Sequence, residues 1–125
     1  MTKIRSKPSI SIALLLATAL GGCQPATRFE WGNYEPSLYA YYKDTGQRTQ
    51  YRRALVSAIA AGTKSNKVAP GLHAELGYLD MEDGNLVEAR ANFEREIALF
   101  PESRQFLQGI IQRMSPGAAG RGATS

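Results

Sequence analysis

The sequence predicts an all-α domain of two helical hairpins and a C-terminal capping helix, following a cleaved signal peptide. Three observations carry this. Apolar residues between Phe29 and Met114 recur at intervals of three and four, the spacing of one helix face. Glycines and prolines cut that stretch into helix-sized segments. No segment alternates apolar and polar residues long enough to make a half-buried strand.

The elements follow in order. Met1 to Pro8 carries Lys3, Arg5 and Lys7 without an acid, and Ile10 to Leu20 is apolar apart from Ser11 and Thr18. A basic stretch before a short apolar one is the layout of a secretory signal. It is too short for a bilayer, which needs roughly 20 apolar residues in a helix. Pro36 suits a first helical position, and that helix runs through Leu38-Tyr39-Ala40-Tyr41-Tyr42 to a stop at Thr45-Gly46. A second helix spans Gln47 to Ala61, ends at Gly62, and buries Tyr51, Leu55, Ala58 and Ile59. Pro70 opens a third, closed by Asp83-Gly84, where glycine takes the left-handed conformation. Asn85 caps a fourth with Ala89, Phe93, Ile97 and Phe100 inside. Pro101 starts a fifth, with Phe106, Leu107, Ile110, Ile111 and Met114 on one side. The organisation is a signal at 1–22, a tether at 23–28, the helical domain at 29–114 and a disordered tail at 115–125.

Within the domain, Leu76-Gly77, Gly84, Ala89, Phe93 and Pro101 stand at fixed spacing. This resembles one tetratricopeptide repeat, a helix–turn–helix unit of about 34 residues. In such a unit Gly77 and Ala89 let two helices approach closely, Phe93 fills the space between them, and Pro101 stops the second helix. Three positions depart from the pattern. His73 stands in place of an aromatic, Asp80 in place of a tyrosine, and Glu96 in place of a small residue. The hairpin at 36–61 reads as a degenerate first unit.

The apolar stretch of the signal runs into Leu20-Gly21-Gly22-Cys23. This resembles the lipobox of bacterial lipoproteins, in which the cysteine sulfur is acylated before the chain is cut ahead of it. Gln24 in place of an aspartate implies sorting to the outer membrane, on its periplasmic face. Cys23 is the single cysteine, so disulfides, CxxC redox chemistry and zinc ribbons are excluded. Removing the signal takes three of the 15 Lys and Arg residues, leaving 12 against 11 acids. That near balance argues against nucleic acid as a partner.

The residues also argue against an enzyme. His73 is the single histidine and has no second ligand at metal-binding spacing, so no metal or other cofactor is expected. Asp80, Glu82, Asp83 and Gly84 do not match a calcium loop, because the glycine comes too early and no glutamate closes it. Ser57 and Ser65 have no neighbouring base. No small-molecule substrate is inferred. Two other features point to contact. Six of the 11 aromatic residues, Phe29, Trp31, Tyr34, Tyr39, Tyr41 and Tyr42, fall in one short stretch. A single helix cannot bury them all on one face, so part of this set is expected to meet a partner or the membrane boundary. Charge is also divided. Residues 28–67 hold seven bases and three acids, and residues 70–102 hold two bases and eight acids. Either the hairpins attract each other, or the module docks on an oppositely polarised neighbour.

The runs W-G-N-Y-E-P-S-L-Y-A-Y-Y-K (Trp31 to Lys43), P-G-L-H-A-E-L-G and F-E-R-E-I-A-L-F-P-E-S resemble a family of short proteobacterial lipoproteins catalogued as a domain of unknown function. Members tend to be encoded beside a pore-forming lipoprotein similar to the curli secretion channel. The resemblance implies a component of an outer-membrane secretion or envelope assembly; together with the lack of catalytic residues, the expectation is a lipid-anchored, non-enzymatic protein-interaction module, with such a pore lipoprotein as the kind of partner. A purely structural spacer and a cell-wall enzyme accessory are the alternatives.

Overall fold

The computed structural model describes residues 27–114, all-α, with five helices and one isolated bridge between Glu30 and Val68 among them. The signal, Cys23 and the tail at 115–125 lie outside the described residues. Helices α1 (Tyr34–Lys43), α2 (Arg48–Ser65), α3 (Leu72–Glu82), α4 (Leu86–Leu99) and α5 (Arg104–Met114) each pack on the next in sequence. Short 3-10 turns at Thr45–Gln47 and Pro101–Ser103 lead into α2 and α5.

The boundaries correct the sequence reading in three places. Helix α1 begins at Tyr34, so Pro36 sits in its first turn rather than at its first position. That costs nothing, because amide groups of the first turn have no intrahelical partner. Helix α2 passes through Gly62 and ends at Asn66, whose φ of 55° supplies the left-handed cap. Gly62 is there for a close approach. A Cβ at this position would lie 2.7 Å from the Val68 Cα and 2.9 Å from its nitrogen, both rigid backbone. Helix α3 starts at Leu72, after Gly71 with φ 91°, and not at Pro70.

Two apolar clusters result. One joins Tyr34, Tyr51, Leu55, Ala58, Ala69, Leu72 and Leu79, across α1, α2 and α3. The other joins Ala89, Phe93, Ile97, Leu107 and Ile110, across α4 and α5. Phe93 is fully buried and its ring edge meets Tyr78 at 5.4 Å. Burying such a side chain is worth roughly 1.5–3 kcal/mol. Phe106, expected on the inner side of α5, is 64% exposed, because Leu107 and Ile110 take the inward positions.

The chain ends of these helices fall into two layers. Residues 29–31, the loop before Leu72 and the turn at Phe100 meet at one end. There the Glu30 N–H donates to the Lys67 carbonyl (2.8 Å), and the Phe29 ring lies 6.4 Å from that of Phe100. At the other end Arg48, opening α2, reaches Glu82 and Asp83, closing α3.

Candidate functional site

A helix face is decided by which residues point at the neighbour. On α1 the inner face is Tyr34, Ser37 and Tyr41, three and four residues apart. Tyr34 and Ser37 are buried, and the Asn33 amide donates to the Ser37 hydroxyl (3.1 Å). Tyr41 stacks on Tyr51 of α2 with ring centres 5.1 Å apart and planes 9° from parallel. Trp31 lies over Tyr34 at 5.4 Å, and Phe29 meets Trp31 edge-on at 6.4 Å. Of the six aromatics singled out in sequence, Phe29, Trp31, Tyr34 and Tyr41 therefore pack against the core.

Tyr39 and Tyr42 do not. They are 59% and 85% exposed, and Leu38 beside them is 36% exposed. With Glu35 these residues line a shallow, almost wholly apolar cleft of about 330 Å³ on the outer face of α1. Lys43 places its ammonium 4.5 Å from the Tyr39 ring centre, so the rim carries a cation held over a π face. Exposed tyrosines beside a leucine give large, stiff contact area with a polar tip, a composition suited to protein interfaces.

The departures from the repeat pattern form a second site, inside the molecule. Asp80 and His73, two turns apart on α3, are both buried, and Asn92 of α4 is buried between them. The Asn92 Nδ2 donates to Asp80 Oδ2 (2.8 Å), which leaves its carbonyl oxygen 3.1 Å from His73 Nδ1. Since an amide oxygen only accepts, His73 Nδ1 is the nitrogen that carries hydrogen. Asp80 Oδ1 receives the Arg52 guanidinium at 2.6 Å, and Arg52 also reaches Asp83 at 2.7 Å. The Arg48 guanidinium on the Asp83 carboxylate holds that group below its ordinary value of 3.8, with Arg52 adding to the effect. Arg48 also donates to the Leu79 carbonyl (2.9 Å) at the C-terminal turn of α3, where a cation is favoured. Much of the charge division is thus used internally: bases of α2 face acids of α3.

Glu96 works at the opposite end of α3. It is 2% exposed and accepts the backbone N–H groups of Gly71 (2.6 Å) and Ala74 (3.3 Å). Gly71 has no side chain with which to cap the helix, so the carboxylate from α4 satisfies the unpaired amides and the positive helix end. Glu75 nearby accepts the Tyr34 hydroxyl. Burial raises the Glu75 carboxyl above its ordinary 4.5, and repulsion from Glu96 adds to that. Burial likewise raises the Tyr34 hydroxyl, helped by its bond to Glu75.

Of the remaining repeat positions, Gly77, Ala89 and Phe93 lie on one seam between α3 and α4. A Cβ on Gly77 would stand 2.7 Å from Phe93 Cε1 and 3.2 Å from the Ala89 carbonyl oxygen. Ala89 is fully buried and Leu76 packs at the edge of the first cluster. Gly84, with φ 78°, turns α3 into α4, and Pro101 begins the turn before α5. Among the described residues no group of three His, Cys, Asp or Glu side chains is placed to hold a metal ion. No described helix is long and apolar enough to cross a membrane.

Residues 29–110 match the family described as Domain of unknown function (DUF4810). The chain belongs to that family. No curated protein and no solved structure matches it. The matched DUF4810 region covers all of α1 to α4 and most of α5, so it contains both the buried polar network and the exposed face of α1.

Proposed function

We propose that this DUF4810 protein is an outer-membrane lipoprotein, anchored through Cys23 and facing the periplasm, that binds a protein of an envelope or secretion-type assembly through the outer face of α1. The observation that carries the reading is the Leu38, Tyr39 and Tyr42 face. It remains uncovered although four neighbouring aromatics pack inward. The basic stretch, apolar stretch and Leu20-Gly21-Gly22-Cys23 support the anchor. Gln24 and the family resemblance support the outer membrane. A pore lipoprotein similar to the curli secretion channel is the kind of partner this reading favours.

The test is photo-crosslinking in cells, with the reactive residue placed in turn at Tyr39, Tyr42 and Val87. Val87 is the control because it is 78% exposed on α4, away from α1. Adducts with one discrete envelope protein from Tyr39 and Tyr42 are expected. Equal or stronger adducts from Val87 would move the interface to the repeat hairpin.

A further inference from the structure

We infer that a second copy of this chain pairs on the outer face of α1, antiparallel about a twofold axis at Tyr39, and covers that face when the proposed partner is absent. This rests on the reading of the face as a contact surface. The inner residues Tyr34, Ser37 and Tyr41 centre on one side of the helix, and Tyr39 stands opposite them. The two charged residues of α1, Glu35 and Lys43, lie four positions before and four positions after Tyr39, and all three are exposed. They form a single i, i+4 row along the outer side. The ends of that row are about 12 Å apart, so Glu35 and Lys43 of one copy do not reach each other. Among the described residues Glu35 makes no ion pair, and Lys43 rests on the face of the Tyr39 ring.

A row of acid, tyrosine and base is its own complement when reversed. In a twofold pair each residue meets the one that meets it in return. The commonest crossing of two helices interdigitates the i, i+4 rows of both and sets those rows parallel. Run antiparallel, Glu35 of each copy lies beside Lys43 of the other, Tyr39 lies beside Tyr39, and Leu38 and Tyr42 fill the groove alongside. A parallel pair would instead set acid against acid and base against base. Charge thus selects both the occupant and its direction, while the apolar rings supply the contact. A buried aromatic covers roughly 150–250 Å², so the exposed parts of Leu38, Tyr39 and Tyr42 offer on the order of 300–400 Å² per copy. A stable interface buries about 800 Å² on each side, so this pairing is transient and leaves the face open to exchange with another protein.

The experiment places a photo-reactive aromatic residue at Tyr42 of the full chain in cells, with exposed Val87 on α4 as the control position. A covalent adduct of two copies is expected from Tyr42 and not from Val87. Glu35→Lys alone, or Lys43→Glu alone, sets like charges against each other and should weaken that adduct several-fold. The two changes together restore the complement, and the adduct should return. The pairing is overturned if Tyr42 gives no two-copy adduct, or if Val87 gives as much. It is equally overturned if the single changes leave the adduct unmoved, or if the double change does not recover it. Should the pairing fail while Tyr42 still yields an adduct with a discrete envelope protein, the contact face stands without self-association. If Tyr42 yields neither adduct, both readings fall.

Discussion

Asn92 holds Asp80 through a 2.8 Å hydrogen bond from its amide nitrogen, and this one bond orders a buried chain from Arg52 to His73. Two of the three repeat-breaking residues, His73 and Asp80, are thus tied through Asn92, and Glu96 acts apart from them. Asp80 needs the α2 arginine and the α4 amide, His73 needs the other end of that amide, and Glu96 replaces a missing helix cap.

Asp80→Tyr, which restores the usual repeat residue, is expected to destabilise the fold. It leaves the Asn92 amide without its acceptor and Arg52 with Asp83 alone. Losing one partner of a buried pair costs about 3–5 kcal/mol; because Arg52 is partly exposed and keeps Asp83, about 2–3 kcal/mol is expected here. Denaturant unfolding of the single variant measures it. A midpoint equal to that of the unaltered protein would mean the network contributes no stability.

Gly77→Leu and Ala89→Leu should each cost roughly 1–3 kcal/mol by overpacking, the former by pushing on the Phe93 ring and the Ala89 carbonyl. Thermal melts of both variants provide the check. Unshifted melts would place the closest approach of α3 and α4 elsewhere.

Glu75 gives a pH signature of known sign. Its carboxyl is raised in the folded protein, so folding favours its protonated form, and stability is lost as pH rises from about 4.5 through the folded value. Glu75→Gln keeps an acceptor for the Tyr34 hydroxyl and removes the charge. Its melting temperature should match that of the unaltered protein at pH 4 and exceed it at pH 7.5. Asp83 has the opposite sign. Its carboxyl is lowered, so its contribution is present above 3.8 and lost as pH falls further. A Glu75→Gln advantage that is the same at both pH values would contradict the assignment.

The helices were legible because periodicity and turn residues agree, and the hairpin seam was legible because Gly77, Ala89 and Phe93 keep a fixed spacing. Gly62 misled because glycine serves both to end helices and to let backbones touch, and its sequence surroundings fit either use. The division of the aromatics was not legible either. Apolarity alone would bury Leu38 before Ser37, yet Ser37 is 2% exposed and Leu38 faces out. The buried network left one trace in the sequence. His73 and Asp80 are seven residues apart on the inner face, two turns of helix. Their partner, Asn92, sits on another helix, so the pairing could not be read from spacing.

The most direct measurement is the mass of the N-terminal peptide of the protein isolated from cell membranes. A chain beginning at Cys23 and carrying acyl groups on that residue is expected. A chain beginning elsewhere, or an unmodified Cys23 in membrane-bound protein, would contradict it.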